Sequence, residues 1–301
     1  MSAGRLPALW PHRGASEIVP AGGVSWHVQR FGAGPQLFLI HGTGASTHSF
    51  RDLASRLCGV FEIVMADLPG HGFTGPMDAP GLPQTAAALG ALLRRLKIEP
   101  AIAAGHSAGA AVALRMALDG AMAPRAVIGF CPALQPYGGA ADGVASKLVK
   151  LALLNPVTPR LFAMRAQPHR VARLLAKTGS HLADEGVDGY ARLLKRPEHV
   201  AGTLRLMAHW RLRPLLDDLP RLKAAAVLVS GARDRATPSS QVEAAARRIP
   251  DCTTIRLEGL GHLAHEEAPD LAAQIVRDAA RGAGLLQSNP DSELRLAGGG
   301  A

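Results

Sequence analysis

Short apolar runs alternate with stretches of helical spacing along the first 131 residues of the chain. This alternation of strand and helix is typical of an α/β protein with a mostly parallel sheet. Leu89, Leu92, Leu93 and Leu96 share one side of a helix predicted over 82–96, and a second helix is predicted over 110–119. The same pattern predicts strands at 23–31, 36–40, 61–66, 101–104 and 125–131.

The alternation stops after residue 131 and resumes only near residue 225. Residues 135–222 show segments of helical pattern, interrupted by Pro156, Pro159, Pro168 and Pro197. Strands return at 225–230 and 253–257, and a last helix is predicted over 269–281. A helical insertion between two strands of one sheet predicts a cap over the carboxyl edge of that sheet. We therefore expect an α/β core made of 1–134 and 223–284, a cap at 135–222 and a disordered tail at 285–301.

Composition favours a folded protein that does not span a membrane. The 301 residues are 48% hydrophobic and 19% charged, which suffices for one large core. No unbroken apolar run approaches the roughly 20 residues that a bilayer requires. Residues 1–17 are interrupted by Pro7 and Pro11 and lack the apolar stretch of a secretory signal. The sequence therefore predicts a cytoplasmic protein.

Net charge and aromatic content limit the classes of partner that the chain is expected to bind. The net charge of +9 could attract nucleic acid, anionic lipid or an acidic ligand. Because aromatic residues make up only 4% of the chain and no basic tail contains them, we expect no nucleic-acid partner.

The chain has three cysteines, Cys58, Cys131 and Cys252, an odd number, and they lack the C-x-x-C spacing of a metal site. They predict buried free thiols, and we expect neither a metal nor a cofactor.

A candidate nucleophile follows the strand predicted at 101–104. Gly105, Ser107 and Gly109 form the pattern G-x-S-x-G between that strand and the next helix. A nucleophile elbow requires such a sharp turn, with small neighbours because its backbone is strained and the helix crosses closely over the next strand. The pattern alone is weak, and its position between strand and helix makes Ser107 the candidate.

A serine hydroxyl needs a general base, and the base needs a carboxylate that orients it. Behind a nucleophile elbow, the acid and then the histidine follow along the chain, each at the carboxyl end of a strand. Asp234 follows the strand at 225–230, and His262 follows the strand at 253–257. This placement predicts Asp234 as the acid and His262 as the base. A surface or capping role is the alternative for His262, and a turn or N-cap role is the alternative for Asp234. Three other aspartates are rivals for the acid: Asp217, Asp218 and Asp251.

The remaining requirement is a pair of N–H donors for the oxyanion of a tetrahedral intermediate. Ala108, directly after the nucleophile, supplies one backbone N–H, and Thr43 supplies the other from the loop after the strand at 36–40. The glycines beside Thr43 let the backbone approach the reacting carbonyl, with an ordinary glycine turn as the alternative. We expect five residues around these donors to bind the substrate: His41, Gly42, Gly44, His106 and Trp210.

The predicted cap contains a basic stretch. Between residues 146 and 177 the chain has seven lysines and arginines and no acid: Lys147, Lys150, Arg160, Arg165, Arg170, Arg173 and Lys177. With the leucines beside them, these charges could form an amphipathic face that contacts a membrane peripherally, or a rim that attracts a carboxylate-bearing ligand. A solvated cationic surface is the alternative.

Taken in order, these motifs resemble the α/β-hydrolase fold over residues 23–281. The set consists of His41-Gly42 after a strand, Asp67-x-x-Gly70-His71-Gly72, Gly105-His106-Ser107-x-Gly109 and Gly261-His262. A narrower resemblance is to the BchO family, α/β-hydrolase-like proteins described as magnesium-chelatase accessory proteins of bacteriochlorophyll synthesis. It rests on Trp26-His27-Val28-Gln29, Thr178-Gly179-Ser180 and the segments 41–49, 67–74, 105–111 and 261–267.

The BchO resemblance implies a role around magnesium insertion into protoporphyrin in a phototrophic bacterium, with magnesium-chelatase subunits as partners. The chain lacks the G-x-x-x-x-G-K-[ST] phosphate loop that binds ATP. The sequence therefore gives no sign that this chain itself carries out an ATP-dependent chelatase reaction. A tetrapyrrole, with two propionates and a flat apolar body, would suit a basic cap with apolar walls from Phe162, Met164, Met207 and Trp210. An ordinary place in the cap core is the alternative for these four residues.

Two classes of function therefore compete. In the first, the protein is a serine hydrolase acting on an ester, thioester or similar carbonyl of a small-molecule substrate, with Ser107, His262 and Asp234 as nucleophile, base and orienting acid. In the second, it is a non-catalytic factor that binds a tetrapyrrole or assembles the chelatase, because a fold does not guarantee its usual function. An unrelated esterase or carbon–carbon bond hydrolase is a third alternative.

Overall fold

A central sheet organises the computed structural model, which describes residues 6–135, 155 and 157–287. Its eight strands are β1 (Ser16–Ala21), β2 (Val24–Gly32), β3 (Gln36–Ile40), β4 (Glu62–Ala66), β5 (Ile102–His106), β6 (Ala126–Phe130), β7 (Ala225–Gly231) and β8 (Cys252–Leu257). They lie in the order β1-β2-β4-β3-β5-β6-β7-β8. The β1–β2 and β2–β4 pairs are antiparallel and all the others are parallel. The predicted α/β class with a mostly parallel sheet is confirmed.

Helices cover both faces of this sheet. In chain order they are α1 (Arg51–Leu57), α2 (Leu82–Leu96), α3 (Ala108–Leu118), α4 (Val157–Arg165), α5 (Pro168–Ala176), α6 (Asp184–Leu194), α7 (Pro197–His209), α8 (Arg213–Asp218), α9 (Ser239–Ala246), α10 (Ala264–Glu267) and α11 (Pro269–Gly282). Apolar residues of α2, α3 and α9 pack on one face, and those of α1 and α11 pack on the other. The central strands are buried on both sides, which explains why they read as short unbroken apolar runs.

Within the described residues, five helices, α4 to α8, lie between β6 and β7, and we call residues 157–218 the cap. Pro168 and Pro197 occupy the first turns of α5 and α7, so these prolines begin helices. A proline is tolerated there because the first N–H groups of a helix have no intrahelical partner. Pro159 lies in the first turn of α4, and Pro156 lies outside the described residues.

Several details differ from the sequence predictions. The apolar pattern does not predict β1, an edge strand that exposes Ile18 and contains Pro20, which an edge position tolerates. Strand β5 continues to His106, so the following turn begins at Ser107. Cys131 is buried, whereas Cys58 and Cys252 are only half-buried because they lie at the end of α1 and in the edge strand β8.

Leu285 and Leu286 pack against the core, so the prediction of disorder from residue 285 is wrong at its start. Residues 288–301 lie outside the described part of the chain.

Across residues 6–135 and 157–287, no helix has both the length and the apolar character needed to cross a bilayer.

Candidate active site

Ser107 occupies a strained turn between β5 and α3. Its backbone has φ 52° and ψ −116°, a positive φ that residues other than glycine rarely adopt. Neighbouring backbone holds the turn, since Ser107 N–H donates to Phe130 O at 2.9 Å and Ser107 O accepts from Ala133 N–H at 3.1 Å. The serine therefore lies at the carboxyl edge of the sheet, where the elbow prediction places it.

Small residues surround Ser107 because backbones approach closely there. A Cβ atom on Gly109 would overlap the carbonyl oxygen of Ile40. A Cβ atom on Gly42 would lie 2.7 Å from His106 Nδ1 and 3.1 Å from Ser107 Cβ. The loop after β3 thus lies directly against the candidate nucleophile, which explains the glycines in both sequence motifs.

Asp234 and His262 form a buried hydrogen-bonded pair, with Nδ1 of His262 2.8 Å from Oδ2 of Asp234. The carboxylate also accepts the Thr237 hydroxyl at 2.6 Å, the Thr237 N–H at 2.9 Å and the Ala236 N–H at 2.7 Å. Burial by itself would raise the pKa of Asp234, but the contacts with His262 and Thr237 outweigh it and lower the pKa. The acid therefore stays ionised and orients the ring with its proton on Nδ1, which leaves Nε2 as an acceptor.

The three rival aspartates are engaged elsewhere. Asp218 accepts hydrogen bonds from Arg115 at 2.7 Å and Arg221 at 3.2 Å, and Asp217 lies 3.6 Å from Arg248. Asp251 is exposed in the turn before β8. The structure thus brings Asp234 to His262 and places the rivals away from it.

His106, the residue before Ser107, links the serine turn to the loop of His262. His106 Nε2 donates to the carbonyl oxygen of His262 at 2.9 Å, and the two rings lie 4.8 Å apart. In the described part of the chain, no hydrogen bond joins the Ser107 hydroxyl to the His262 ring itself. Such contacts are often long in free hydrolases and shorten when substrate binds. Proton transfer between the two side chains requires that they close to hydrogen-bond distance.

A turn of the cap between α5 and α6 holds the loops of both Asp234 and His262. Arg235 N–H donates to Thr178 O at 3.1 Å, and Leu263 N–H donates to Ser180 Oγ at 2.7 Å. Gly179 between them has φ 88°, and a Cβ atom there would overlap the carbonyl group of Arg233. The sequence marks this segment only through the family resemblance, whereas the structure shows that it ties the acid loop to the histidine loop.

The loop 41–44 is fixed by His41. Its Nε2 accepts from Leu68 N–H at 2.8 Å, so Nδ1 carries the proton and donates it to Gly42 O at 2.8 Å. Burial lowers the pKa of His41, which keeps the ring neutral as this arrangement requires. Among the described residues, the N–H groups of Thr43 and Ala108 have no hydrogen-bond acceptor. Both are therefore free to bind an anionic oxygen.

Asp67 supports this loop from the end of the neighbouring strand. It is fully buried and accepts from Thr47 N–H at 2.7 Å, Phe73 N–H at 2.9 Å and His27 Nδ1 at 2.8 Å. Burial would raise the pKa of Asp67, but His27 and the donated N–H groups hold it well below its usual value. The ionised carboxylate thus joins β2 to the loops after β3 and β4.

The remaining residues predicted to contact the substrate fall into two groups, rings packed in the interior and side chains exposed on the cap. His106 is buried with Nδ1 unpartnered among the described residues, and Trp210 packs against the core with Nε1 unpartnered. Phe162 and Met164 are 50% and 77% exposed, and Met207 is also exposed. These three lie on the cap surface, so they form neither the wall of an enclosed ligand site nor part of the cap core.

Cys131 lies beside the Asp234–His262 pair, so these three residues are candidate ligands of a metal ion. One ligand atom from each of the three residues lies within 4.8 Å of the others. The 2.8 Å between Asp234 and His262 is a hydrogen-bond distance, whereas ligands about 2.0 Å from a tetrahedral zinc stand about 3.3 Å apart. Burial also raises the pKa of the Cys131 thiol well above its usual value, which disfavours the thiolate that a metal binds. The donor set fits a hydrogen-bonded pair better than a metal centre.

The sheet order, the serine turn and the loops at the carboxyl edge define an α/β-hydrolase. The model of the alpha/beta hydrolase family matches residues 37–275, and the chain belongs to this family. Among solved structures, an alpha/beta hydrolase fold protein from Burkholderia ambifaria is similar with a TM-score of 0.71 and 25% identity, over 87% of this chain and 99% of that chain. The resemblance to the α/β-hydrolase fold is confirmed.

Two relatives narrow this placement. The magnesium-chelatase 30 kDa subunit of Rhodobacter capsulatus is 40% identical over 278 residues, which cover 91% of this chain and 97% of that protein. The pimeloyl-[acyl-carrier protein] methyl ester esterase of Xanthomonas oryzae pv. oryzae is 28% identical over 245 residues, which cover 78% of this chain and 91% of that protein. The first similarity confirms the narrower resemblance to the BchO family.

Proposed function

We propose that this protein is a serine hydrolase that acts on an ester or acyl substrate in bacteriochlorophyll synthesis. The observation that carries the proposal is the buried 2.8 Å contact between His262 Nδ1 and Asp234 Oδ2, at the sheet edge that also holds the strained Ser107. An ionised acid on one nitrogen of the ring makes the other nitrogen a better base, which a purely structural histidine does not need.

In this mechanism the Ser107 hydroxyl attacks the substrate carbonyl while its proton passes to Nε2 of His262. Asp234 stabilises the imidazolium that forms. The negative charge that develops on the carbonyl oxygen is stabilised by the N–H groups of Thr43 and Ala108. His262 then returns the proton to the leaving group, and water releases the acyl group from Ser107 by the same steps.

The pathway and the partners rest on similarity. The 40% identity to a magnesium-chelatase subunit supports a place in bacteriochlorophyll synthesis, with a small-molecule substrate or a tetrapyrrole bound and magnesium-chelatase subunits as partners. A cytoplasmic location, with the basic cap against a membrane, is part of the same proposal.

A non-catalytic function is the second candidate, because the relative named above is itself a subunit of a chelatase. In that case the α/β-hydrolase scaffold would bind a tetrapyrrole or assemble the chelatase without using Ser107. The two candidates differ in what happens when only the serine hydroxyl is removed.

Labelling with a serine-directed fluorophosphonate, combined with rescue of a strain that lacks the gene, separates the two. We expect the wild type and the control Ser55→Ala, which changes an exposed serine of α1, to be labelled and to restore pigment synthesis. We expect Ser107→Ala to do neither. An unlabelled Ser107→Ala protein that fully restores pigment would establish the binding or assembly function instead.

A further inference from the structure

Two short helices of the cap expose much of their apolar surface. Helices α4 and α5 contain five exposed large apolar residues: Val157, Leu161, Phe162, Met164 and Leu174. Helix α4 packs against α7, and α5 packs against α6, so the inner sides of both helices are already covered. The five side chains nevertheless remain 47–77% exposed. Apolar clusters of this kind on a protein surface usually mark a binding surface.

The same helices are uniformly basic. Five cations are exposed, and none forms an ion pair with a described residue: Arg160, Arg165, Arg170, Arg173 and Lys177. The sequence has no acid between Asp142 and Asp184 that could compensate them. Arginines elsewhere are commonly paired, for example Arg115 with Asp218. Positive charge and exposed apolar surface therefore coincide on these two helices.

An open groove of about 520 Å³ runs along this face. It is lined by the apolar side chains of Leu161, Phe162 and Leu174 and by the cations of Arg165, Arg170 and Lys177. A site for a free small molecule typically encloses roughly 70–90% of its ligand. The three apolar side chains that line this groove are instead 47–50% exposed, and Met164 of the same helix α4 is 77% exposed, which is typical of side chains that enter another surface.

We infer that the face formed by α4 and α5 docks on an anionic lipid bilayer. Its apolar side chains would enter the interfacial layer, and its arginines and lysine would meet the headgroup phosphates. Long basic side chains suit this position, because their stems lie along apolar surface while their charges reach the headgroups. The inference deepens the membrane contact proposed above and does not depend on the hydrolytic reaction.

Vesicle sedimentation with the full chain tests this inference. We expect binding to phosphatidylcholine vesicles that contain about one-third phosphatidylglycerol to be at least about tenfold tighter than binding to phosphatidylcholine alone, and to weaken in high salt. The double variants Phe162→Ser with Met164→Ser, and Arg170→Glu with Arg173→Glu, should each lower binding about tenfold or more.

Matched controls change exposed residues outside α4 and α5. Arg211→Glu with Arg213→Glu alters the net charge by the same amount, and Leu9→Ser with Val60→Ser removes two exposed apolar side chains. Both should bind as the wild type does. Absence of binding to anionic vesicles, or equal losses in variants and controls, would overturn the inference. So would displacement from the vesicles by monomeric dodecanoate, which would assign the groove to a free carboxylate ligand. Fluorophosphonate labelling of every variant shows separately whether the Ser107 site is intact.

Discussion

His199 of the cap donates a hydrogen bond from Nε2 to the carbonyl oxygen of Gly44 at 3.1 Å. The direction of this bond follows from the other nitrogen, because Nδ1 accepts from Gly72 N–H at 2.9 Å. Burial lowers the pKa of His199 to about 4, so the ring is neutral at pH 7 and can donate and accept at once. One cap residue thus fixes the glycine loop beside the candidate nucleophile.

Replacing this histidine should affect both stability and catalysis. His199→Phe keeps an aromatic ring but leaves the Gly44 carbonyl and the Gly72 N–H buried without partners. We expect the free energy of unfolding to fall by about 2–4 kcal/mol and kcat for an ester substrate to fall more than KM changes, because Thr43 loses its fixed position. Urea unfolding and steady-state kinetics measure the two effects. His209→Phe, at the half-buried end of the same helix, is the control, and an equal loss in both would contradict the role given to His199.

The acid assignment can be tested by a substitution that keeps its shape. In the proposed mechanism, Asp234→Asn removes the charge that stabilises the imidazolium and favours the wrong tautomer of His262. We expect kcat to fall by about 10³–10⁴-fold with little change in unfolding free energy. Asp251→Asn, the exposed rival, should retain full turnover. A variant of Asp234 that keeps wild-type turnover would remove it from the proposed mechanism.

Glu266 is a buried acid that joins the core to the cap. Its carboxylate accepts from Arg51 Nη1 at 2.9 Å and from the hydroxyl of Tyr190, a residue of α6, at 2.6 Å. Burial raises the pKa of Glu266 to about 7, despite the opposing contacts with Arg51 and Tyr190. The folded state therefore binds a proton that the unfolded chain loses near its ordinary pKa of 4.5.

This shift predicts a pH dependence of stability. Because the folded pKa is raised, the stabilising contribution of Glu266 is present below about pH 4.5 and is lost as pH rises to about 7, a change on the order of 3 kcal/mol. Urea unfolding at a series of pH values should show that Glu266→Gln lacks this decline relative to the wild type. Glu243→Gln, which changes an exposed glutamate, should follow the wild type. Parallel curves for wild type and Glu266→Gln would contradict the raised pKa.

The cap and the core also meet at two glycines. A Cβ atom on Gly202 of α7 would overlap the carbonyl group of Gly70, so the helix lies directly on the turn after β4. We expect Gly202→Ala to lower the free energy of unfolding by about 2–3 kcal/mol. Gly282→Ala, at the end of α11 where a Cβ atom would point into open space, should change it by about 0.5 kcal/mol or less. Equal stability of the two variants in thermal or urea unfolding would show that α7 can shift away from the turn.

Much of the core was predictable because local pattern and tertiary environment agree. The strand at 36–40 and the helix at 82–96 have the predicted bounds, since buried parallel strands read as unbroken apolar runs and α2 has one apolar side. The apolar pattern missed strand β1 because this strand is held in the sheet by its backbone pairing with β2 and not by burial of its own side chains. The cap helices were expected as a group, whereas the bounds of each depend on packing against its neighbours.

The sequence by itself determined the α/β alternation, the order of Ser107, Asp234 and His262 and their positions after strands, because each of these is a local pattern. Only the tertiary structure decided that Asp234 rather than its rivals lies against His262, that Thr237 and the turn at Thr178–Ser180 hold this pair, and that His199 reaches Gly44. Apart from the contact of Thr237 with Asp234, these contacts join residues far apart in the chain. They depend on how loops meet at one edge of the sheet, and no spacing along the sequence encodes that distance.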